Sequence, residues 1–229
     1  MNRLIFVRHG GSTGNEDPAF YAYNDSALCL TTNGIRQALA TAGILAQIEP
    51  RWGKPGNFAL EVFASEYNRA QQTARITLDQ MNLLSLRPRI APLLNERDYG
   101  IAYDKRMDEQ ADDAGQGGES GLQAKRRVLG FLKEVSPLLD RADVLAFSHF
   151  GAIRALVANL IHLSDAEMMA LDVPNGGAFA FERSFTADGA QIFTQMLLPD
   201  HILPKQAYIT EPPTVAPPPQ LSTWAGKSK

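Results

Sequence analysis

The chain has 229 residues, 45% hydrophobic and 21% charged, with a formal net charge of −3; it can bury a full core, and its slight acidity gives no global attraction to nucleic acid or to an anionic membrane. Cys29 is the only cysteine, which excludes an intrachain disulfide framework and a cysteine-rich zinc site. No apolar run reaches membrane-spanning length and the first residues lack the zones of a signal peptide, so the expected location is cytoplasmic.

Short apolar runs rich in branched and aromatic residues at Leu4–Val7, Leu60–Ala64, Val144–Phe147, Phe179–Phe181 and Ile192–Leu197 predict strands, the first and third buried on both faces. Between them, Ile35, Ala38, Leu39, Ala42, Leu45 and Ile48 recur at helical spacing after Thr31-Thr32, which can cap a helix. Arg69–Met81, Leu122–Leu139 and Ile153–Ile161 predict further helices, and Ser164-Asp165-Ala166-Glu167 has the form of a capping box. Strands alternating with helices predict an α/β protein, a three-layer α/β/α sandwich around a mostly parallel sheet. Residues 1–203 read as a single domain. Six of the fourteen prolines lie from Pro204 onward; residues 204–229 therefore read as a proline-rich tail that cannot hold a core, although Trp224 gives it one large apolar group. The tail is the candidate element for a homodimer.

Three predicted strands end in chemically loaded stretches. The first runs into Arg8-His9-Gly10-Gly11, the second into Ser65-Glu66-Tyr67-Asn68-Arg69, and the third into Ser148-His149-Phe150-Gly151. Ligands of open α/β sheets bind at the carboxyl ends of strands, so Arg8, His9, Arg69 and His149 converge on one edge and offer a site for an anion. Phosphate fits the offer. Phosphoryl transfer needs mainly positioning and charge stabilisation; two arginines can grip phosphoryl oxygens in bidentate fashion. Gly10 and Gly11 allow close approach of backbone N–H groups, and Asn15 adds a donor. A neutral His9 can attack phosphorus, and a protonated His149 can stabilise the oxygens. The leaving oxygen needs a proton, for which Glu96 and Asp98 follow another predicted strand; partial burial would raise the pKa of such an acid toward the working pH. His162 and His201 lack comparable settings and read as structural.

These residues resemble the histidine phosphatase superfamily, also called the phosphoglycerate mutase-like family. The resemblance runs from about Leu4 to about Arg183 through "RHGGSTGN" at Arg8–Asn15, "LTTNGIRQA" at Leu30–Ala38, "ASEYNRAQQTA" at Ala64–Ala74, "LNERDYG" at Leu94–Gly100, "GGES" at Gly117–Ser120, "VLAFSHFGAIRAL" at Val144–Leu156 and "VPNGG" at Val173–Gly177. It implies a phosphoglycerate mutase-like fold, His9 as the phosphorylated nucleophile, Arg8, Arg69 and His149 as the phosphate pocket, Glu96 as the proton donor, and Asn15 at the pocket edge; it implies no metal and no other cofactor. The chain departs from the family at Gly11, where many relatives carry glutamate, at Phe150, where glycine usually follows the second histidine, and after Gly100, where a tryptophan-glutamate-glycine is absent.

Within the family, mutases carry a long basic insertion after the segment that matches Glu96–Gly100. Here the interval to Gly117 is short and, after Lys105-Arg106, acidic and glycine-rich: Asp108, Glu109, Asp112, Asp113, Gly115 and Gly117. The expected activity is therefore metal-independent hydrolysis of a small-molecule phosphomonoester, with the mutase and a non-catalytic phosphate-binding scaffold as alternatives. The stretch from Asn15 to Gly34 resembles a branch of broad-range phosphatases, and Phe20, Tyr21 and Tyr23 are equally candidates for a substrate wall and for core packing.

Overall fold

The computed structural model describes residues 2–17, 21, 25–52, 59–100, 112–114, 116–186, 188–189 and 191–197. The proline-rich tail, His201, Phe20, Tyr23, Lys105, Arg106, Asp108, Glu109 and Gly115 lie outside the described residues.

Strands β1 (Arg3–Arg8), β2 (Leu60–Ala64), β3 (Arg89–Ile90), β4 (Asp143–Ser148), β5 (Ala178–Phe185) and β6 (Gln191–Leu197) form one sheet in the order β3-β2-β4-β1-β5-β6. The pairings of β1 with β4, β2 with β4 and β2 with β3 are parallel, whereas β5 pairs antiparallel with β1 and β6. The two-residue alternation of side chains then splits the core into two layers. Leu4, Phe6, Phe63, Val144, Ala146, Phe179 and Phe181 face one layer; Ile5, Val7, Val62, Ala64, Leu145, Phe147, Ala178 and Ala180 face the other.

The described helices are α1 (Thr13–Glu16), α2 (Thr32–Ile48), α3 (Asn68–Gln80), α4 (Gly121–Val135), α5 (Phe150–Leu160) and α6 (Asp165–Ala170). Helices α2 and α3 cover the second layer through Ala42, Leu45, Ala74 and Leu78; α4, α5 and α6 cover the first through Val128, Phe131, Ile153, Leu156 and Met168. The result is the three-layer sandwich expected. Caps form at the two places the sequence offers, Thr31 Oγ1 accepting from the Gly34 N–H at 3.2 Å and Ser164 Oγ from Glu167 at 3.3 Å; a further cap that was not read in the sequence has Ser120 Oγ accepting from Gln123 at 3.1 Å. None of the described helices is long and apolar enough to cross a membrane.

Two boundaries differ from expectation. The helix read as Leu122–Leu139 ends at Val135, because Pro137 has no N–H to continue it, and Leu138–Asp140 form a separate 3-10 turn. The strand expected before Glu96 is only Arg89–Ile90; Pro92 opens a 3-10 turn through Leu94, so Glu96 follows a turn rather than a strand end.

Far from the catalytic edge, Glu49 caps the C-terminal end of α2 and is 2% exposed. It accepts from Arg51 Nε at 2.8 Å, Nη2 at 2.6 Å and backbone N–H at 3.0 Å, and from Arg3 Nη1. The Arg3 N–H donates to Asp143 Oδ1 at 2.7 Å, so the network ties the starts of β1 and β4 to α2. The Arg51 and Arg3 hydrogen bonds hold the Glu49 carboxyl at about 2, below its ordinary 4.5. A depressed carboxylate contributes stability that is present above the unfolded value and is lost as pH falls from there through the folded one. Glu49→Gln is expected to lower the unfolding free energy by about 2 kcal/mol near neutrality, and to flatten its decline between pH 4.5 and 2, as read by chemical denaturation across that range.

Candidate active site

Strands β2, β4 and β1 are adjacent and parallel, so their carboxyl ends share one edge of the sheet. The pairing continues one residue past each end: the His9 N–H donates to the Ser148 carbonyl at 3.0 Å and the Ser65 N–H to the Phe147 carbonyl at 3.0 Å. His9, Ser65 and His149 are thereby brought level, and the His9 and His149 rings lie 5.1 Å apart between centroids.

His9 is 2% exposed. Its Nδ1 lies 2.7 Å from the Gly10 carbonyl, which can only accept, so Nδ1 carries the hydrogen. Its Nε2 accepts from Arg69 Nε at 3.2 Å. Burial, then the charges of Arg69 and Arg8, push the imidazole well below its ordinary value. The outcome is a neutral, oriented imidazole whose Nε2 lone pair faces a guanidinium. Such a nitrogen is a nucleophile already deprotonated.

Arg69, 1% exposed in the first turn of α3, spends its Nη1 on Asp25, with the carbonyl at 2.6 Å and Oδ1 at 2.7 Å. The Tyr67 ring packs on the Arg69 guanidinium at 5.0 Å and on the His149 ring at 5.1 Å. Burial pushes the Tyr67 hydroxyl up to about 12, keeping it protonated. Arg8, at the end of β1, donates to the Val173 carbonyl and stacks on the Phe150 ring at 5.0 Å. Phe150, the family departure beside His149, also has the Arg154 guanidinium over its ring at 3.8 Å.

His149 is fully buried at the N-cap of α5, where its own side chain makes no cap bond. Glu96 supplies the cap instead: its Oε1 accepts from the N–H groups of Gly151 at 2.9 Å, Ala152 at 3.3 Å and Arg97 at 2.8 Å. A Cβ at Gly151 would sit 2.8 Å from Glu96 Oε1, so glycine is needed for that approach. Burial raises the Glu96 carboxyl, outweighing the Arg97 N–H and the charges of Arg69 and Arg8. Arg127 holds this loop from α4, donating to the Leu93 carbonyl at 2.7 Å and pairing with Glu119 at 2.7 Å. Asp98, the other carboxylate candidate, is exposed and accepts from Gly100 N–H at 2.8 Å.

The glycine run has a different reason from the one read in the sequence. The Gly10 N–H donates to Thr73 Oγ1 at 3.0 Å and the Gly11 N–H to Gln37 Oε1 at 2.7 Å, so both donors already have protein partners. What demands glycine is contact with α2: a Cβ at Gly10 would meet the Gly34 carbonyl oxygen at 2.2 Å, and one at Gly34 the Gly11 oxygen at 1.9 Å. Asn15 is exposed and closes the turn of α1 by accepting from the Ser12 N–H at 3.0 Å; its Nδ2 donates to the Tyr21 hydroxyl at 3.0 Å. His162, by contrast, is exposed after α5 at φ 53.

Sequence reasoning did not assign Ser65, Tyr67, Asn95, Arg127 or Asn175 to the site. Asn175 Nδ2 donates to the His9 carbonyl at 3.0 Å, and Gly176 N–H bridges the Arg8 and His9 carbonyls at 3.1 and 3.2 Å. The "VPNGG" motif thus clamps the backbone of His9. Its glycine pair and polar residue before β5 were the available signal. Among the described residues, no three His, Cys, Asp or Glu side chains cluster in a way that would hold a metal ion.

Comparison with known proteins agrees with this fold. The sequence model of the histidine phosphatase superfamily (branch 1) matches residues 4–190. A 2,3-bisphosphoglycerate-dependent phosphoglycerate mutase from Parvibaculum lavamentivorans is 28% identical over 79% of this chain and 90% of its own. The 2,3-bisphosphoglycerate-dependent phosphoglycerate mutase 2 of Gloeobacter violaceus is 31% identical over 90% of this chain and 96% of its own. Among solved structures, a mycobacterial glucosyl-3-phosphoglycerate phosphatase in complex with VO3 superposes with TM-score 0.66 at 23% identity, over 86% of this chain and 99% of its own. A putative alpha-ribazole-5'-P phosphatase from Escherichia coli gives TM-score 0.66 at 24% identity, over 90% and 99%.

The Gly10–Gly34 contact makes a remote test of the site. Gly34→Ala puts a methyl where backbone oxygen stands and must push the His9 loop; a shift approaching ~1 Å should cut turnover by about 10²-fold. It should also lower stability by about 1–3 kcal/mol. Steady-state kinetics on any accepted phosphate ester and a thermal melt read the two effects.

Proposed function

The chain belongs to the histidine phosphatase superfamily, and from that premise we propose that it hydrolyses a small phosphomonoester through a phosphohistidine at His9. The observation that carries the reading is the state of His9: neutral, with Nδ1–H tied to the Gly10 carbonyl and Nε2 turned to Arg69. In the first step Nε2 attacks phosphorus in line with the departing oxygen. Arg8, Arg69 and His149 take up the charge on the phosphoryl oxygens. Glu96, whose carboxyl burial raises toward the working pH, gives its proton to the leaving alkoxide. In the second step the same carboxylate accepts a proton from the water that attacks phospho-His9, returning Glu96 to its acid form and releasing inorganic phosphate.

Relatives carrying the mutase name are matched over 90–96% of their own length, so overall size does not separate the two activities. What favours hydrolysis is charge. After Lys105-Arg106 the interval to Gly117 carries Asp108, Glu109, Asp112 and Asp113, a poor setting for retaining a polyanionic bisphosphate between turnovers. Tyr21, tied to Asn15 and lying 5.7 Å from the Arg69 guanidinium, supports an aromatic wall for the organic part of the ester.

Phosphate release from p-nitrophenyl phosphate and a panel of small phosphomonoesters, without added metal, should be readily measured for the wild type. It should collapse by several orders of magnitude in His9→Ala, which removes the nucleophile. Interconversion of phosphoglycerates without net phosphate release would make the chain a mutase, and neither reaction would leave a binding module. Glu96→Gln should lower kcat/KM for esters of poorly acidic alcohols by about 10²–10⁴-fold while nearly sparing kcat/KM for p-nitrophenyl phosphate, whose leaving group needs no proton; kcat, which includes hydrolysis of phospho-His9, should fall on both, and equal loss of kcat/KM on both would remove Glu96 from the acid role.

A further inference from the structure

Behind His149 runs a short chain of hydrogen bonds whose directions are all determined. Asn95 Oδ1 accepts from the Glu66 N–H at 3.0 Å, and Asn95 Nδ2 donates to the Glu66 carboxylate at 2.6 Å. A backbone N–H only donates and a carboxylate only accepts, so the amide can stand only this way round. Asn95 Oδ1 also lies 2.8 Å from Ser65 Oγ, which must therefore donate its single hydrogen there. With that hydrogen spent, Ser65 Oγ can only accept from its other two neighbours, the Tyr67 N–H at 3.2 Å and His149 Nε2 at 2.7 Å. His149 accordingly carries its hydrogen on Nε2. A neutral imidazole has only one, so Nδ1 presents a bare lone pair, buried and without a partner among the described residues.

That polarity is wrong for a phosphoryl oxygen, which offers only lone pairs. We propose that Ser65 and Asn95 are positioning residues that lock the Nε2–H tautomer of His149, so that a phosphoryl dianion binds together with a proton taken from solvent onto His149 Nδ1. The inference rests on the phosphate-binding reading of the site. Burial first, then the charges of Arg69 from α3, His9 and Arg8 at the end of β1, and Arg127 from α4, oppose that proton until the anion arrives, and the Tyr67 ring lies against the imidazole. Glu96 lies at the N-terminus of the same helix, where burial raises its carboxyl above the ordinary range. A dianion against Nδ1 reverses the balance and turns the orphaned nitrogen into a charge-assisted donor. Substrate capture thereby becomes proton-linked, and the protonated His149 expected from the sequence describes the complex rather than the free enzyme.

The test uses tungstate, a tetrahedral dianion whose charge is constant near neutral pH, with histidine-selective nitrogen NMR on the full chain. Signals are assigned with His9→Ala and His149→Ala. The free enzyme should show His149 with a protonated Nε2 and an unprotonated Nδ1, and the complex should show His149 as imidazolium. The tungstate association constant should fall by up to about tenfold per pH unit on the alkaline side of neutrality. In Ser65→Ala that slope should flatten, because the ring is free to present a neutral Nδ1–H, and Ser65→Thr, which keeps a hydroxyl, should restore it. A free-enzyme Nδ1–H tautomer, a His149 that stays neutral in the complex, or a proton that lands on His9 instead would overturn the proposal while leaving the phosphatase reading intact. These wild-type spectra decide the matter even if Ser65→Ala does not fold. Failure of tungstate to bind at all would remove the phosphate site and the inference with it.

Discussion

The backbone N–H of His9 donates to the carbonyl of Ser148 at 3.0 Å, carrying the parallel β1–β4 ladder one residue beyond its last paired strand positions. Because β2 pairs with β4 in the same sense and extends through Ser65 in the same way, three chain segments leave the sheet at one level. Parallel pairing is what makes this work: antiparallel neighbours would deliver alternate ends and scatter the same residues to opposite edges. Backbone pairing, rather than side-chain attraction between two imidazoles and two guanidiniums, holds the cluster together.

A cluster of that composition is costly unless every member is held. The loop before β5 secures the His9 backbone through Asn175 and Gly176, and Thr41 Oγ1 from α2 secures the Gly176 carbonyl at 2.8 Å. The glycines at 10 and 34 let α2 come close enough for this. Glu96 is likewise held twice, by the α5 N-terminus on its carboxylate and by Arg127 on its backbone turn. Burial then sets the protonation states, lowering both imidazoles and raising the carboxyl. On the proposed chemistry, one environment thus prepares a neutral nucleophile and a protonated acid, the pairing a two-step phosphoryl transfer requires.

Amino-acid order alone determined much of this protein. Alternating and continuous apolar runs specified β1, β2 and β4, since a strand buried on both faces must be apolar at every position. Caps at Thr31 and Ser164 marked helix starts through local chemistry that depends on three or four neighbouring residues. The candidates His9, Arg8, Arg69 and His149 were legible because the strand-then-helix pattern placed them at carboxyl ends; Glu96 was legible through the need for a proton donor, and it follows a 3-10 turn rather than a strand end. Tertiary structure decided what no local rule could. Glycine 10 is a contact between residues 24 apart in the chain, and its role as an N–H donor toward a ligand gave way to packing. Asn95 lies 30 residues from Ser65 and Ser65 lies 84 from His149. Hydrogen-bond direction along that chain, and with it which nitrogen of His149 bears the proton, exists only once the sheet has set the three side by side.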